Sequence, residues 1–243
     1  MHNSSEPPSN YVELLDALAT SSNFISFGSP ERIVAYCLEL ANLRIDFDRM
    51  DDFLSRFWGV IENMEDDESG IGLTLKKFLV VYTEDNAVLR VHAYRERVFQ
   101  LTNLVLAFGL PEKNVPTIER VSCLLREKGC ASLPRHLELL TATKPPAIRE
   151  ALERRNEFVH RLPTRDWLSL SSGRLLQEWL SLDWDSGKLQ DRDSADVALE
   201  ALYLEKKKRD VLVFLTNIRE ELDFFEEGFC PLLYQTYQTG ITR

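Results

Sequence analysis

Apolar residues recur every three or four positions along most of this chain, the spacing that predicts amphipathic α-helices. The clearest run lies near the C-terminus. Its positions step by four and three residues and are apolar except for one lysine: Val197, Ala201, Leu204, Lys208, Val211, Leu215, Ile218, Leu222 and Phe225. This run predicts a long helix that packs lengthwise against other helices.

Two helices are predicted in the first quarter of the chain. A short one covers Tyr11 to Leu18, and a longer one begins at Ser29-Pro30-Glu31 and extends toward Ile61. A hydroxyl side chain, a proline and an acid in this order suit a helix N-terminus. The next segment, Leu73 to Tyr82, is compatible with a strand or with a buried helix, and its spacing does not decide between them.

Three further helices are predicted from apolar spacing that ends at glycine or proline. Glycine and proline end helices because one favours left-handed backbone and the other disfavours helical geometry in the preceding residue. The segment Asp166 to Asp193 lacks regular spacing and is expected to be irregular. The three helices run from Val88 to Phe108, from Pro116 to Gly129, and from Thr143 to Leu162.

These elements predict an all-α protein, a single helical bundle of about four to six main helices. We expect residues 1–10 to form a disordered tail and residues 11–86 to form an N-terminal helical extension packed on the core. Residues 87–230 would form the helical core and residues 231–243 a C-terminal tail.

Composition narrows the functional classes. The 243 residues carry 29 Lys and Arg against 39 Asp and Glu, a net charge of -10, which argues against a protein that coats nucleic acid. The four cysteines are widely spaced, and the first ten residues lack the features of a signal peptide, so we expect reduced thiols and a cytoplasmic location. The longest apolar stretch, Leu101 to Leu110, is about half of a membrane span.

One arginine occupies an apolar helix face. The seam of the Thr143–Leu162 helix is Ile148, Leu152, Arg155, Val159 and Leu162, and the neighbours of Arg155 three and four residues away are all apolar. Arg154 and Arg161 instead follow Glu150 and Glu157 by four residues and are expected to form solvated ion pairs. Arg155 therefore requires a negative partner from elsewhere, either an acid on another helix or a bound phosphate.

His160 lies five residues after Arg155, with Asn156 four residues before it. Five residues turn a helix by roughly 140° and advance it by about 7.5 Å, so one helix does not bring both side chains onto the same atom. Two copies of the helix across a two-fold axis would line one cleft with two arginines and two histidines.

The segment Arg155-Asn156-Glu157-Phe158-Val159-His160 resembles the R-φ-x-x-x-H motif, in which φ is a polar residue, of the HEPN superfamily. This name denotes the higher eukaryote and prokaryote nucleotide-binding domains. They are small all-α bundles that commonly dimerise through the motif helix, and many are metal-independent endoribonucleases that act as toxins or antiviral effectors. Tyr94, Arg95 and Asn103 resemble a further polar and aromatic pattern of bacterial members and are supporting candidates.

The resemblance implies a mechanism without metal or cofactor. His160 would transfer the proton of an RNA 2′-hydroxyl, Arg155 would hold the phosphate, and Asn156 would orient the imidazole or contact the phosphate. The segment Lys144 to Asp166 carries six cations and four acids, a local charge of +2. The arginines expected to contact RNA are Arg149, Arg154, Arg161 and Arg165.

The implied partners are RNA, a second copy of the chain joined through the motif helix, and an antitoxin or regulatory protein. Leu162 occupies the position at which toxins paired with nucleotidyltransferase antitoxins carry a modified tyrosine, so that form of control is not expected. The alternatives are a non-catalytic helical dimer that binds a nucleotide or a protein, and a structural adaptor in which Arg155 pairs with an acid of its own chain.

The remaining polar groups are expected to be structural or solvated. The acids between Asp46 and Asp52 lack the glycine and terminal glutamate of a calcium loop. His92 and His136 have no ligand spacing, and the basic run Lys206–Arg209 is interpreted as a solvated face. Three tryptophans are expected to be packed in the core rather than stacked on bases: Trp167, Trp179 and Trp184.

Overall fold

A computed structural model describes residues 7–21, 29–63, 71–111, 118–141, 146–161 and 194–239; for residues 118–119, 156–161 and 194–198 only the backbone is described. The described residues form an all-α structure without β-strands. None of their helices is long and apolar enough to cross a membrane. The helices are α1 (Tyr11–Ala19), α2 (Pro30–Glu62), α3 (Ile71–Val105), α4 (Ile118–Glu127), α5 (Ser132–Leu137), α6 (Pro146–Arg161) and α7 (Ser194–Gln238), and Glu138–Leu140 form a 3-10 turn.

The predicted helices are confirmed, and two of them are longer than expected. The ambiguous segment Leu73–Tyr82 is helical and continues without a break into the helix predicted from Val88, so that both belong to α3. The predicted C-terminal tail is wrong for most of its length, because α7 continues through Pro231 to Gln238 and buries Leu233 completely. Asp166 to Asp193 lies outside the described residues.

Helix ends follow the signals read from the sequence. Gly129, the predicted stop of α4, has a φ of +81°, and the N–H groups of Gly129 and Cys130 donate to the carbonyls of Arg126 and Leu125. This is the Schellman arrangement, which favours glycine at the left-handed position. At the other end of the chain, Asn10 was predicted to lie in a disordered tail, yet its side chain accepts hydrogen bonds from the first turn of α1.

The described residues form two compact units by the contacts among their Cα atoms. The first unit comprises Met1–Phe47, Leu89–Glu153 and Asn217–Arg243, and the second comprises Asp48–Val88 and Arg154–Thr216. Helices α2, α3, α6 and α7 each contribute residues to both units. The two ends of a long helix lie far apart in space, so each end packs with different parts of the chain.

The core of the first unit is built on the C-terminal half of α7. The side chains of Ile218, Leu222 and Phe225 are fully buried, as their spacing of four and then three residues predicts. The ring of Phe225 stacks on that of Phe229 with 5.1 Å between centroids, and it meets the ring of Tyr94 edge-on at 6.2 Å. The buried Tyr94 hydroxyl shares a 2.7 Å hydrogen bond with that of Tyr11 on α1.

Two glutamates of α7 satisfy the free N–H groups at the starts of other helices. Glu221 accepts hydrogen bonds from the backbone of Ala147 at 3.0 Å and of Ile148 at 2.8 Å, at the N-terminus of α6. Glu226 accepts from the backbone of Tyr11 at 3.0 Å, at the N-terminus of α1. A carboxylate at this position satisfies unpaired donors and interacts favourably with the positive end of the helix dipole.

Three of the four cysteines are buried and all four are free thiols: Cys37, Cys123, Cys130 and Cys230. Burial raises the pKa of Cys37 to about 12, so this thiol stays protonated at neutral pH. Mostly buried thiols without disulfides agree with the interpretation made from their spacing.

His136 is packed against α7 at a glycine. Its Nε2 donates to the backbone carbonyl of Phe225 at 2.7 Å, and its ring stacks on the Phe225 ring at 4.9 Å. Partial burial lowers the pKa of His136, and the hydrogen bond to the Phe225 carbonyl opposes this effect. A Cβ atom added at Gly228 would lie 2.3 Å from Cε1 of His136, so only glycine leaves room for the imidazole. The structural role expected for His136 is confirmed.

Gly228→Ala should therefore lower the free energy of unfolding by about 1–3 kcal/mol, because displacing the imidazole outweighs the gain of about 1 kcal/mol in helix propensity. Chemical denaturation followed by circular dichroism measures the change. Gly59→Ala is the matched control: Gly59 lies within α2, a Cβ there meets nothing within 4 Å, and this variant should be slightly more stable than wild type. Equal effects of the two substitutions would contradict the packing argument.

Candidate functional site

The motif helix α6 starts at a fixed point and is regular throughout its described length. Glu221 caps its first turn, and Ile148 and Leu152, two positions of the predicted seam, are buried. The helix continues through His160 to Arg161. The spacing of five residues between Arg155 and His160 is therefore that of a continuous α-helix, as the sequence argument assumed.

Arg154 is neutralised by an acid on another helix. Its Nη1 forms an ion pair with Oε1 of Glu84 on α3, and its guanidinium lies over the ring of Phe214 with 5.0 Å to the centroid. The Glu84 carboxylate also takes Lys207, whose Nζ lies 3.3 and 3.4 Å from its two oxygens. The Glu84 side chain is only 16% exposed, and two cations compensate for its loss of hydration.

The interhelical pair changes the interpretation of Arg154. The sequence predicted a pair with Glu150 within α6 and a contact to RNA, and the structure adds Glu84 and Phe214 from other helices as partners of the guanidinium. A guanidinium held by a partly buried carboxylate is less available to a phosphate than a free one. Arg154 therefore helps to fix the motif helix.

Arg155, unlike Arg154, has no acidic partner among the described residues. Its side chain is partly buried, and among the residues that the structure describes it forms neither an ion pair nor a hydrogen bond. The intrachain acid that the structural-adaptor alternative requires is thus not found in the described part of the chain. A partly buried guanidinium without a carboxylate is suited to bind an anion from outside the chain.

The other predicted motif residues are described only by their backbone or lie beyond the described ranges. Asn156, His160 and Arg161 are within α6, but their side chains are not described, and Leu162 and Arg165 fall outside it. Arg149 is exposed and forms an ion pair with Glu153 one turn later, with 3.7 Å between Nε and Oε1. An exposed pair of this kind leaves the arginine accessible.

The three supporting candidates on α3 belong to the first unit, and two of them have clear structural roles. Tyr94 is fully buried against Tyr11. Asn103 closes the turn after α3, donating to the carbonyl of Leu110 and accepting from its N–H, both at 3.0 Å. The guanidinium of Arg95 lies over the ring of Phe99, with 5.7 Å to the centroid.

A titratable acid beside Arg154 was missed by the sequence argument. Burial raises the pKa of Asp85 to about 6, with a further contribution from the charge of Glu84 and an opposing one from Arg154. The acidic pair Glu84-Asp85 follows the segment whose secondary structure the spacing left open. The sequence does not show that Glu84 and Asp85 lie near Arg154. That follows only once the segment is known to be helical and the position of Arg154 is known.

Two lysines of the basic run Lys206–Arg209 on α7 contact residues of other helices. Lys207 binds Glu84, and Nζ of Lys208 lies 4.8 Å from the ring centroid of Trp58. The fully buried Trp58 donates from Nε1 to Glu62 and Glu205, at 2.8 Å each. These contacts explain the lysine within the apolar seam: an aromatic face accommodates the Lys208 ammonium. The predicted solvated face therefore holds for only part of the run.

The remaining candidates have structural contacts. Asp46 forms an ion pair with Arg90 and Asp52 with Arg56, so these acids interact with arginines. His92 is buried. Within the described ranges, histidines, cysteines and acids do not gather in a group that would hold a metal ion. The tryptophans Trp167, Trp179 and Trp184 lie outside the described residues.

The raised pKa of Asp85 predicts a pH-dependent difference between wild type and Asp85→Asn. Because the folded state holds this proton more tightly than the unfolded chain does, ionisation of Asp85 destabilises the protein as the pH rises from about 4 through 6. At pH 4 both proteins should have similar free energies of unfolding. At pH 7.5 the variant should be more stable by an amount on the order of 1 kcal/mol.

Denaturation of both proteins at the two pH values measures this difference. Glu84→Gln is the control, because Glu84 has two cationic partners and its neutralisation should lower stability at pH 7.5. A difference between wild type and Asp85→Asn that is the same at both pH values would show that Asp85 does not titrate in this range.

Comparisons of the chain with protein-family models, with curated proteins and with solved structures gave no match. The likeness to the HEPN superfamily therefore depends on the motif and on the all-α architecture alone.

Proposed function

We propose that this protein is a metal-independent endoribonuclease whose active site is built on α6. The observation that carries the proposal is the contrast between two consecutive arginines of the motif helix. Arg154 is held by Glu84, whereas Arg155 is partly buried and has no acidic partner in the part of the chain that is described. A partly buried arginine without an acidic partner is suited to bind a phosphodiester.

The proposed reaction uses the RNA as its own nucleophile. The 2′-oxygen bonds to the adjacent phosphorus while the bond from phosphorus to the 5′-oxygen breaks. His160 accepts the 2′-hydroxyl proton, and a second histidine donates a proton to the leaving 5′-oxygen. Arg155 stabilises the charge that develops on the phosphate, and Asn156 orients the imidazole. The products are a 2′,3′-cyclic phosphate and a 5′-hydroxyl.

The second histidine comes from a second copy of the chain. Because five residues separate Arg155 from His160 along one helix, their backbone positions are rotated by roughly 140° about the helix axis. Two motif helices across a two-fold axis would place the arginine of each near the histidine of the other. The proposed enzyme is thus a homodimer through α6.

The acidic composition fits a small substrate-binding cleft rather than an extended one. The net charge of -10 keeps RNA from most of the surface, whereas the segment Lys144 to Asp166 is locally positive by 2. The proposal extends, through the family likeness, to a toxin or antiviral effector in the cytoplasm. An antitoxin or other regulatory protein would restrain it there.

The test is cleavage of a mixed-sequence RNA in the presence of EDTA. Wild type should cut it, and Arg155→Ala and His160→Ala should each lower the rate by about 10²–10⁴-fold, because each removes transition-state stabilisation or proton transfer. Arg149→Ala is the matched control: it removes an exposed arginine from the same helix and should lower the rate far less. An RNA with a single 2′-deoxy substitution should not be cut at that nucleotide.

Two results would contradict the proposal. Wild type without activity, or alanine variants with unchanged activity, would end the ribonuclease assignment. Binding of RNA or a nucleotide that depends on Arg155 but produces no cleavage would instead support the non-catalytic helical dimer.

A further inference from the structure

The outward side of α7 in the second unit carries an aromatic ring next to basic side chains. Tyr203 is 59% exposed, and Lys206 and Arg209, three and six residues later, are exposed as well. Residues three apart are neighbours on a helix surface, and these three extend over about 9 Å along the helix axis. We call these three residues the α7 face.

The two cations of the α7 face are not held by described acids. Within the described part of the chain Lys206 forms no ion pair, and Arg209 donates from Nε to a backbone carbonyl, that of Glu205, at 3.4 Å. The Glu205 carboxylate has other partners: it accepts from Nε1 of Trp58 at 2.8 Å and lies 3.9 Å from Nζ of Lys76. Lys206 and Arg209 are therefore available to an anion from outside the chain.

One carboxylate joins the α7 face to the motif helix. Oε1 of Glu84 pairs with Nη1 of Arg154 on α6 and lies 3.3 Å from Nζ of Lys207 on α7, and all three residues belong to the second unit. Lys207 directly follows Lys206 of the α7 face, and the motif begins one residue after Arg154. The α7 face therefore lies beside the part of α6 on which the proposed active site is built.

Charge favours an RNA strand as the ligand of the α7 face. The stretch from Tyr203 to Asp210 carries four cations and two acids, whereas the whole chain has a net charge of -10. Proteins that bind single-stranded RNA combine cations for the phosphates with exposed aromatic rings on which the bases stack. Tyr203 and the two cations supply both kinds of contact on one helix surface. An acidic protein would use the same cations and is the alternative ligand.

We propose that the α7 face binds the RNA strand next to the phosphate that is cut at α6. This inference rests on the proposed ribonuclease and names residues that hold its substrate. Lys206 and Arg209 pair with two phosphates of the strand, and one base stacks on Tyr203. The face stabilises the bound strand equally in the ground state and in the transition state, so it lowers KM and leaves kcat unchanged.

The first experiment measures binding of a fluorescent single-stranded RNA by anisotropy over a range of salt concentrations. All nucleotides of this RNA carry 2′-O-methyl groups, which keep the phosphates and remove the nucleophile of the proposed reaction. For the double variant Lys206→Ala/Arg209→Ala, the slope of log Kd against log salt concentration should fall by about 1.4, because each lost phosphate contact removes about 0.7. Its Kd at physiological salt should rise about tenfold.

The matched control is the double variant Arg126→Ala/Arg135→Ala. It removes two exposed arginines from α4 and α5 in the first unit and changes the net charge by the same amount. Its slope should equal that of wild type. A slope that falls as much as in the α7 variant would show that overall charge controls binding, and it would overturn the proposal.

The second experiment tests the stacked base with the same RNA. Tyr203→Ala should raise Kd by about fivefold or more without changing the slope, because it removes a ring but no charge. Tyr203→Phe keeps the ring and should bind like wild type. Asp210→Asn removes the acid that follows Arg209 and should lower Kd, a gain that a misfolded variant does not produce. Circular dichroism confirms that all variants are folded.

Cleavage kinetics separate this inference from the proposed function. With unmodified RNA in EDTA, Lys206→Ala/Arg209→Ala should raise KM about tenfold and keep kcat close to that of wild type, whereas Arg155→Ala should lower kcat. Cleavage with an unchanged KM in the α7 variant would contradict the α7 face and leave the ribonuclease supported. Binding of the modified RNA through the α7 face by a wild type that cuts no RNA would contradict the ribonuclease alone.

Three results of the binding experiments would overturn the proposal. The first is a double α7 variant with the slope and Kd of wild type, and the second is an equal Kd for Tyr203→Ala and Tyr203→Phe. The third is a double α7 variant that keeps its affinity for RNA and loses affinity for poly-L-glutamate, which would assign the face to an acidic protein instead.

Discussion

The first unit depends on carboxylates of α7 that satisfy helix N-termini. A helix start leaves backbone donors without partners, and burying them unpaired costs on the order of 1–3 kcal/mol each. Glu221 takes two such donors from α6, and Glu226 takes one from α1. The same stretch of α7 buries Leu222 and Phe225. One helix therefore supplies both the apolar contacts and the polar anchors, and the start of the motif helix is fixed by it.

The Glu226 carboxylate shows how burial and pairing compete in this arrangement. Burial raises its pKa, and the hydrogen bond from Tyr11 and the charge of Arg44 oppose that effect. Arg44 lies near Glu226 with 3.5 Å between Nε and Oε2, and it also pairs with Asp223. The ionised form is thus held by a cation from α2, so α1, α2 and α7 are joined through charged groups as well as through the core.

Electrostatic pairing also determines which cations remain for function. In the second unit the Glu84 carboxylate takes Arg154 and Lys207, and the Trp58 ring has Lys76 and Lys208 near its face at 4.9 and 4.8 Å. Cations engaged in this way stabilise the helices and are less available to a ligand. The chain is acidic, with 39 Asp and Glu against 29 Lys and Arg. Arg155 differs from these cations because no described acid pairs with it, and it is therefore the candidate for binding a ligand.

Much of the helical architecture was predictable from the sequence, but the surroundings of Lys208 and the secondary structure of residues 73–82 were not. The apolar spacing in α7 identified Leu204, Val211 and Leu215 as core residues, and all three are buried. The same spacing gave no reason for Lys208, which needs the Trp58 ring from another helix. It also left 73–82 undecided, because a short, largely apolar segment fits the pattern of either a strand or a buried helix.

The sequence by itself determined the all-α class, the starts and stops of most helices, and the apolar seam on which Arg155 lies. These features follow from local rules of spacing, capping and glycine or proline placement, which act over one or two turns. Only the tertiary structure decided that Glu84 neutralises Arg154, that Asp85 holds a proton to about pH 6, and that Gly228 makes room for His136. These facts join residues that are about 70 and 90 positions apart, and one-dimensional spacing carries no information on which helices meet.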